Sequence, residues 1–255
     1  MISLKNAAEM DCMRDACRIS AQALRLAGSL VRPGVTTAAI DRQVEEFIRS
    51  QGAVPSFLHY NGFPASTCIS INNEVIHGIP SHSRVIHEGD IVSVDVGAVY
   101  RGFNGDNAAT FPAGQISDEA QRLMDATKKA LYAGIEKAQA GLRIGDISAA
   151  VQAVVEGAGF DVVTSYVGHG VGADMHEEPE VPNFGKAGHG PRLCAGMTIA
   201  IEPMVNAKGR AVKVLQNGWT VVTRTGSLSA HFEHTVAITP DGPEILTVAG
   251  EDGRL

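Results

Sequence analysis

The chain repeats itself. Shifted by 107 residues (141 − 34 = 107), the segment 34–52 falls on 141–159, glycine on glycine at both ends. Ile40, Val44, Phe47 and Ile48 then lie on Ile147, Val151, Val154 and Val155, an i, i+4, i+7 apolar stripe that predicts a glycine-closed amphipathic helix in each copy. The same shift sets Gly89-Asp90-Ile91-Val92-Ser93-Val94-Asp95 on Gly196-Met197-Thr198-Ile199-Ala200-Ile201-Glu202 (202 − 95 = 107). One shift that recovers both a helix and a carboxylate-bearing strand demands two related halves, about 9–112 and 117–245; the period is too long for a solenoid repeat. Each half begins with a helix. The first spans Glu9 to Ser29 with Met13, Cys17, Leu24 and Ala27 inward, and the second spans Asp118 to Gln139 with Ser117 as N-cap. No linker composition separates the halves, so residues 1–255 are expected to form one α+β domain with its site at the seam.

Five side chains stand out. In Ile91-Val92-Ser93-Val94-Asp95-Val96 the valines share one face of a strand and Asp95 points to the other; Ile199 and Ile201 oppose Glu202 in the same way. An unpaired carboxylate buried in such a run costs several kcal/mol, so these two acids call for cations. Asp106 follows Gly102-Phe103-Asn104-Gly105, read as a tight turn that lets Asp95 and Asp106 face each other across a hairpin. Glu233 lies in the run His231–Val236, read as a strand paired with that of Glu202. His169 sits in Gly168-His169-Gly170-Val171-Gly172, where glycines permit close backbone approach. Four carboxylates balance two dications and a neutral imidazole adds a ligand at no charge, which predicts a two-metal hydrolase using Co, Mn, Fe(II) or Zn.

Composition narrows the class. Apolar residues form 44% and charged residues 19% of the chain, with no apolar run of about 18 residues, which predicts a globular protein rather than a membrane span. A net charge of −7 argues against nucleic acid as a direct ligand. The first six residues lack the basic and apolar regions of a secretory signal, and Cys12, Cys17, Cys68 and Cys194 lack paired spacing, so cytoplasmic location and reduced thiols are expected. His59, His82, His87 and His189 lie in polar stretches and are read as surface residues. Met175-His176-Glu177-Glu178-Pro179 does not match the helical zinc-protease motif HExxH.

Taken in order, Cys68-Ile69-Ser70-Ile71-Asn72, Val75-Ile76-His77-Gly78-Ile79-Pro80, Val94-Asp95-Val96-Gly97, Gly105-Asp106, Gly168-His169-Gly170-Val171-Gly172, His176-Glu177-Glu178-Pro179, Ile201-Glu202-Pro203-Met204 and Phe232-Glu233-His234-Thr235 resemble the type I methionine aminopeptidases over about Met10 to Ile245. The resemblance implies the pita-bread fold, an antiparallel sheet flanked by helices with internal pseudo-twofold symmetry. It implies Asp95 as ligand of one ion, His169 and Glu202 of the other, and Asp106 and Glu233 bridging both. It further implies His77, His176 and Glu202 as catalytic groups, and Tyr60, Phe63, Cys68, Met175 and Trp219 as the pocket for the first side chain. The expected substrates are the N-terminal methionine of peptides and nascent chains, with a small second residue favoured; the expected state is a monomer, and any ribosome contact would use the domain's own surface. Met175, Asn61, Asn104 and His231 depart from the residues common in that family, where an aromatic, histidine, histidine and glutamine respectively are usual.

Overall fold

The computed structural model describes residues 2–248. Four long helices, α1 (Ala7–Leu30), α2 (Thr37–Ser50), α3 (Asp118–Ile135) and α4 (Ile144–Gly157), pack on a curved sheet. Helix α1 opens with a capping box: Asn6 accepts from the Glu9 amide while the Glu9 carboxylate accepts from the Asn6 amide. Ser117 caps α3 by accepting from the Ala120 amide, as its sequence predicts. The helix ends at Ile135 rather than Gln139, because the amides of Lys137 and Ala138 bond three residues back, to Gly134 and Ile135, tightening the last turn.

The 107-residue shift is visible in the backbone. Gly34 and Gly141 have φ of 88° and 95°, Gly52 and Gly159 of 73° and 83°, and Gly89 and Gly196 of 89° and 95°, all left-handed and natural only for glycine. Gly34 donates to the Ile86 carbonyl as Gly141 does to that of Leu193, and isolated bridges join Thr36 to Val85 and Arg143 to Arg192. The resulting core is continuous: Leu24, Ile40 and Val94 from the first half and Leu131, Ile147 and Ile201 from the second belong to one buried cluster.

Among the described residues, nine antiparallel strands form the main sheet. Its order is Val54–Pro55, Ile91–Tyr100, Phe103–Pro112, Glu233–Thr239, Thr198–Ile201, Gly168–Gly170 and Glu177–Val181, with Thr67–Ile71 also on Ile91–Tyr100 and Gly242–Ile245 on Glu233–Thr239. The sharp turn of the central hairpin falls at Arg101-Gly102, with φ of 51° and 81°, not at 102–105. Gly105 is a strand residue with another reason to be glycine: a Cβ there would lie 2.5 Å from the Cys17 backbone of α1. Gly105→Ala is therefore expected to destabilise the fold by about 1–3 kcal/mol through overpacking; an unchanged urea midpoint would contradict this contact.

Two strands are shorter than their sequence suggests. The second-half strand stops at Ile201, and Pro203, which has no amide to give a ladder, precedes a new strand (Met204–Asn206) in a separate three-stranded sheet. The run 231–236 is likewise split: Ser229–His231 pairs with Met204–Asn206, and Glu233 opens the strand of the main sheet. Glu202 and Glu233 thus both stand where the chain changes sheets.

Candidate active site

Strand register gathers the five side chains. Asp95 opposes Ala108 and Asp106 opposes Gly97, so the two aspartates are diagonal neighbours on one face of the hairpin. Glu233 opposes Ala108 from the other side, placing this small residue between Asp95 and Glu233. The pairing of His234 with Ile201 sets Glu202 at the end of the ladder beside Glu233, and that of Gly170 with Ile199 brings His169 to the same face. The opposite face is sealed by Val92, Val94 and Val96, all at 0% exposure.

The geometry is close. Ligand-capable atoms of Asp106, His169 and Glu233 all lie within 4.8 Å of one another. His169 Nε2 is 3.6 Å from Asp106 Oδ2 and 3.5 Å from Glu202 Oε1. With Nδ1 directed at the Gly170 carbonyl at 2.8 Å, the ring is fixed with Nε2 facing the acids. Asp95 Oδ1, Asp106 Oδ1 and Glu233 Oε1 are shut from solvent without a hydrogen-bond partner. Orphaned carboxylate oxygens converging on an imidazole nitrogen are a donor set suited to divalent cations.

Electrostatics say the same. Burial and then the neighbouring acids push Asp95 and Glu233 well above the usual carboxylate range. Burial also raises Asp106, although His169 partly offsets it. Burial opposes the charge of His169, but Asp106 and Glu202 outweigh it and lift the imidazole to about 9. A cation entering this cluster has to displace those protons.

Above the acids lies a cavity of about 190 Å³ that is lined by every candidate residue: the four acids and the imidazole of His169, His77, His176, and Tyr60, Phe63, Cys68, Met175 and Trp219. Phe63 and Trp219 meet edge to face at 5.1 Å, and Cys68 and Met175 are buried beside Phe63. The Tyr60 hydroxyl lies 2.9 Å from His176 Nδ1, and the His176 ring is 4.2 Å from that of His169. Desolvation, followed by the charge on His169, lowers His176 to about 4, leaving it neutral at pH 7. Burial also lowers His77, which adopts φ of 58°, the kind of strained conformation that persists where surrounding structure enforces it. His59, His82, His87 and His189 are exposed, as expected, and all four cysteines are free thiols.

Two further residues join the site: Phe57, which lines the cavity, and Tyr166, whose ring stands edge-on to His77 at 6.0 Å. Neither lies in a motif; both are placed by tertiary packing. The ring of His231 reaches out of its strand, with Nε2 3.5 Å from Glu202 Oε2. A larger open groove of about 440 Å³ runs along the start of α4 and contains none of the five converging side chains.

A buried cluster of acids and an imidazole under an apolar cavity defines a metallohydrolase, and the family follows from the whole chain. Residues 11–240 match metallopeptidase family M24, to which the chain belongs; the family uses divalent metal. A methionine aminopeptidase of Clostridium acetobutylicum is 54% identical over 97% of this chain and 99% of its own length. The crystal structure of methionine aminopeptidase from Thermotoga maritima superposes with a TM-score of 0.96 at 44% identity, covering 97% of this chain and 99% of that one. A prolidase from Pyrococcus furiosus, at 24% identity, shares the fold with a TM-score of 0.79, but only 66% of its chain is covered. The architecture is the pita-bread fold, a curled antiparallel sheet flanked by helices.

Proposed function

We propose that this protein is a type I methionine aminopeptidase that removes the initiator methionine from new chains by metal-assisted hydrolysis of the first peptide bond. The observation that carries the reading is the union, in one cavity, of the orphaned carboxylates with a small apolar pocket. Asp95, Asp106, His169, Glu202 and Glu233 would hold two divalent ions, drawn from Co, Mn, Fe(II) or Zn. Such ions polarise a carbonyl and make hydroxide available near neutral pH. They also answer the charge of four clustered acids, Asp106, Glu202 and Glu233 buried and Asp95 half-buried.

The chain's own groups supply the rest. Glu202, at the open end of the ladder, moves the proton from attacking water toward the leaving amine. With Tyr60 donating to Nδ1, neutral His176 carries its proton on Nε2 and can donate to the carbonyl oxygen as that atom gains charge. His77 contacts the peptide on the leaving side. Phe63, Trp219, Cys68 and Met175 surround a flexible thioether with aromatic edges and polarisable sulfur. The confined volume favours a small second residue.

Among the described residues no helix is long and apolar enough to cross a membrane. We read the chain as one catalytic domain acting as a monomer in the cytoplasm, meeting nascent chains at the ribosome through its own surface. The substrate reading is tested by supplying the chelated protein with each divalent ion in turn. Met-Ala-Ser is expected to be cleaved much faster than Met-Leu-Ser, and Ala-Pro-Ala not at all; preference for the proline peptide would overturn it.

A further inference from the structure

The pocket has two walls that come from distant parts of the chain. One is the segment carrying Phe57, Tyr60 and Phe63; the other is the loop between the strands Gly168–Gly170 and Glu177–Val181, carrying Met175 and His176. Besides the bond between the Tyr60 hydroxyl and His176, one buried side chain ties them together. Asn104, 3% exposed on the central hairpin, donates from Nδ2 to the carbonyls of Gly172 and Ala173, both at 3.1 Å, and its Oδ1 accepts from Ser56 Oγ at 2.9 Å. Its backbone amide adds a third bond to the loop, to the Gly172 carbonyl at 2.8 Å.

These partners fix the amide's orientation, since only NH₂ can serve two carbonyls while the oxygen takes a hydroxyl proton. A neutral imidazole has one donor and one acceptor, so a histidine here could not make all three side-chain bonds. The far end of the loop is pinned separately: Lys5, with its side chain 3% exposed, pairs with Glu177 at 2.6 Å. His176, next to that anchor and bonded to Tyr60, therefore has supports of its own. The Asp174 amide also bonds to Glu177 Oε1 at 3.2 Å, so Met175 lies between that anchor and the two carbonyls that Asn104 holds.

We propose that Asn104 is a positioning residue that determines specificity: its carboxamide sets the separation of the two walls gripping the substrate's first side chain. The role rests on the methionine-pocket reading above. It acts through Ser56 toward Phe57 on one side and through Gly172 and Ala173 toward Met175 on the other. It also gives two departures from the family pattern, Asn104 and Met175, a shared physical setting.

The test compares Asn104→Ala, Asn104→His and Ser56→Ala with the wild type. Steady-state cleavage of Met-Ala-Ser and Leu-Ala-Ser gives kcat and KM. Binding of free methionine is read from the emission of Trp219, the only tryptophan, whose ring packs on Phe63. Asn104→Ala is expected to raise KM for Met-Ala-Ser and the half-saturating methionine concentration about tenfold, with kcat changed less than twofold and the preference for methionine over leucine reduced about tenfold. Ser56→Ala, which removes one hydroxyl and provides a second test should Asn104→Ala not fold, should shift the same quantities about threefold. Asn104→His, keeping one donor, should fall between wild type and alanine. Unchanged methionine binding and selectivity in Ser56→Ala and in every Asn104 variant that folds would overturn the role, as would a fall in kcat alone. A wild-type protein that cleaves no methionyl peptide would instead sink the substrate reading, a result distinct from variants that match an active wild type.

Discussion

Glu233→Gln is expected to abolish metal-dependent cleavage while making the metal-free protein harder to melt. Glutamine keeps the shape of a side chain that is 2% exposed but removes a carboxyl whose ionised form is disfavoured by burial and by the nearby Asp106, Glu202 and Asp95, so that folding without metal has to place a proton on it. Without metal the substitution removes the cost of that proton uptake at neutral pH, and each kcal/mol so gained raises the melting temperature of a chain this size by about 2–4 °C. With metal present the same change deletes a ligand. Partners outside the ligand shell typically cost about 10–100-fold on mutation, so a direct ligand should cost about 10³-fold or more in kcat/KM. The two opposite signs are the diagnostic. A variant that is less stable without metal and still active would remove Glu233 from the cluster.

Divalent metal is expected to raise the melting temperature far more at pH 8 than at pH 5. Asp95, Asp106 and Glu233 have raised values in the folded metal-free chain and ordinary ones when unfolded. Between those values the folded state binds more protons than the unfolded state, so metal-free stability falls as pH climbs from the ordinary carboxylate range. His169, raised to about 9, acts in the same direction: its contribution is full below its unfolded value of 6.5 and lost as pH rises through 9. Metal replaces the missing protons and binds most tightly where fewest compete. At one hundred times its dissociation constant a single ion contributes about 2.7 kcal/mol, which corresponds to a rise of about 5–10 °C at pH 8. Equal shifts at both pH values, measured by calorimetry, would contradict a cluster of buried acids.

Much of the fold and of the site is legible in the sequence. The 107-residue shift exposed the paired helices and the strands of Asp95 and Glu202, because glycines such as Gly34 and Gly141 are demanded by backbone geometry and so mark the sequence itself. Asp95 was betrayed by its valine neighbours. What stayed hidden depended on contacts far apart in the chain. Gly105 looked like part of a turn because nothing local announces that α1 crosses within Cβ distance of it. The breaks after Ile201 and before Glu233 reflect strands that leave the main sheet, a tertiary choice that alternation cannot show. Phe57 and Tyr166 carry no motif, and the three bonds made by the Asn104 side chain join segments separated by dozens of residues.

The central claim is that Asp95, Asp106, His169, Glu202 and Glu233 together hold divalent cations. It is tested most directly by anomalous diffraction from crystals of the active protein loaded with Mn²⁺. Two anomalous peaks are predicted among these five side chains, one of them touching both Asp106 and Glu233. Cleavage of Met-Ala-Ser by the same preparation with no peak at this cluster would contradict the account.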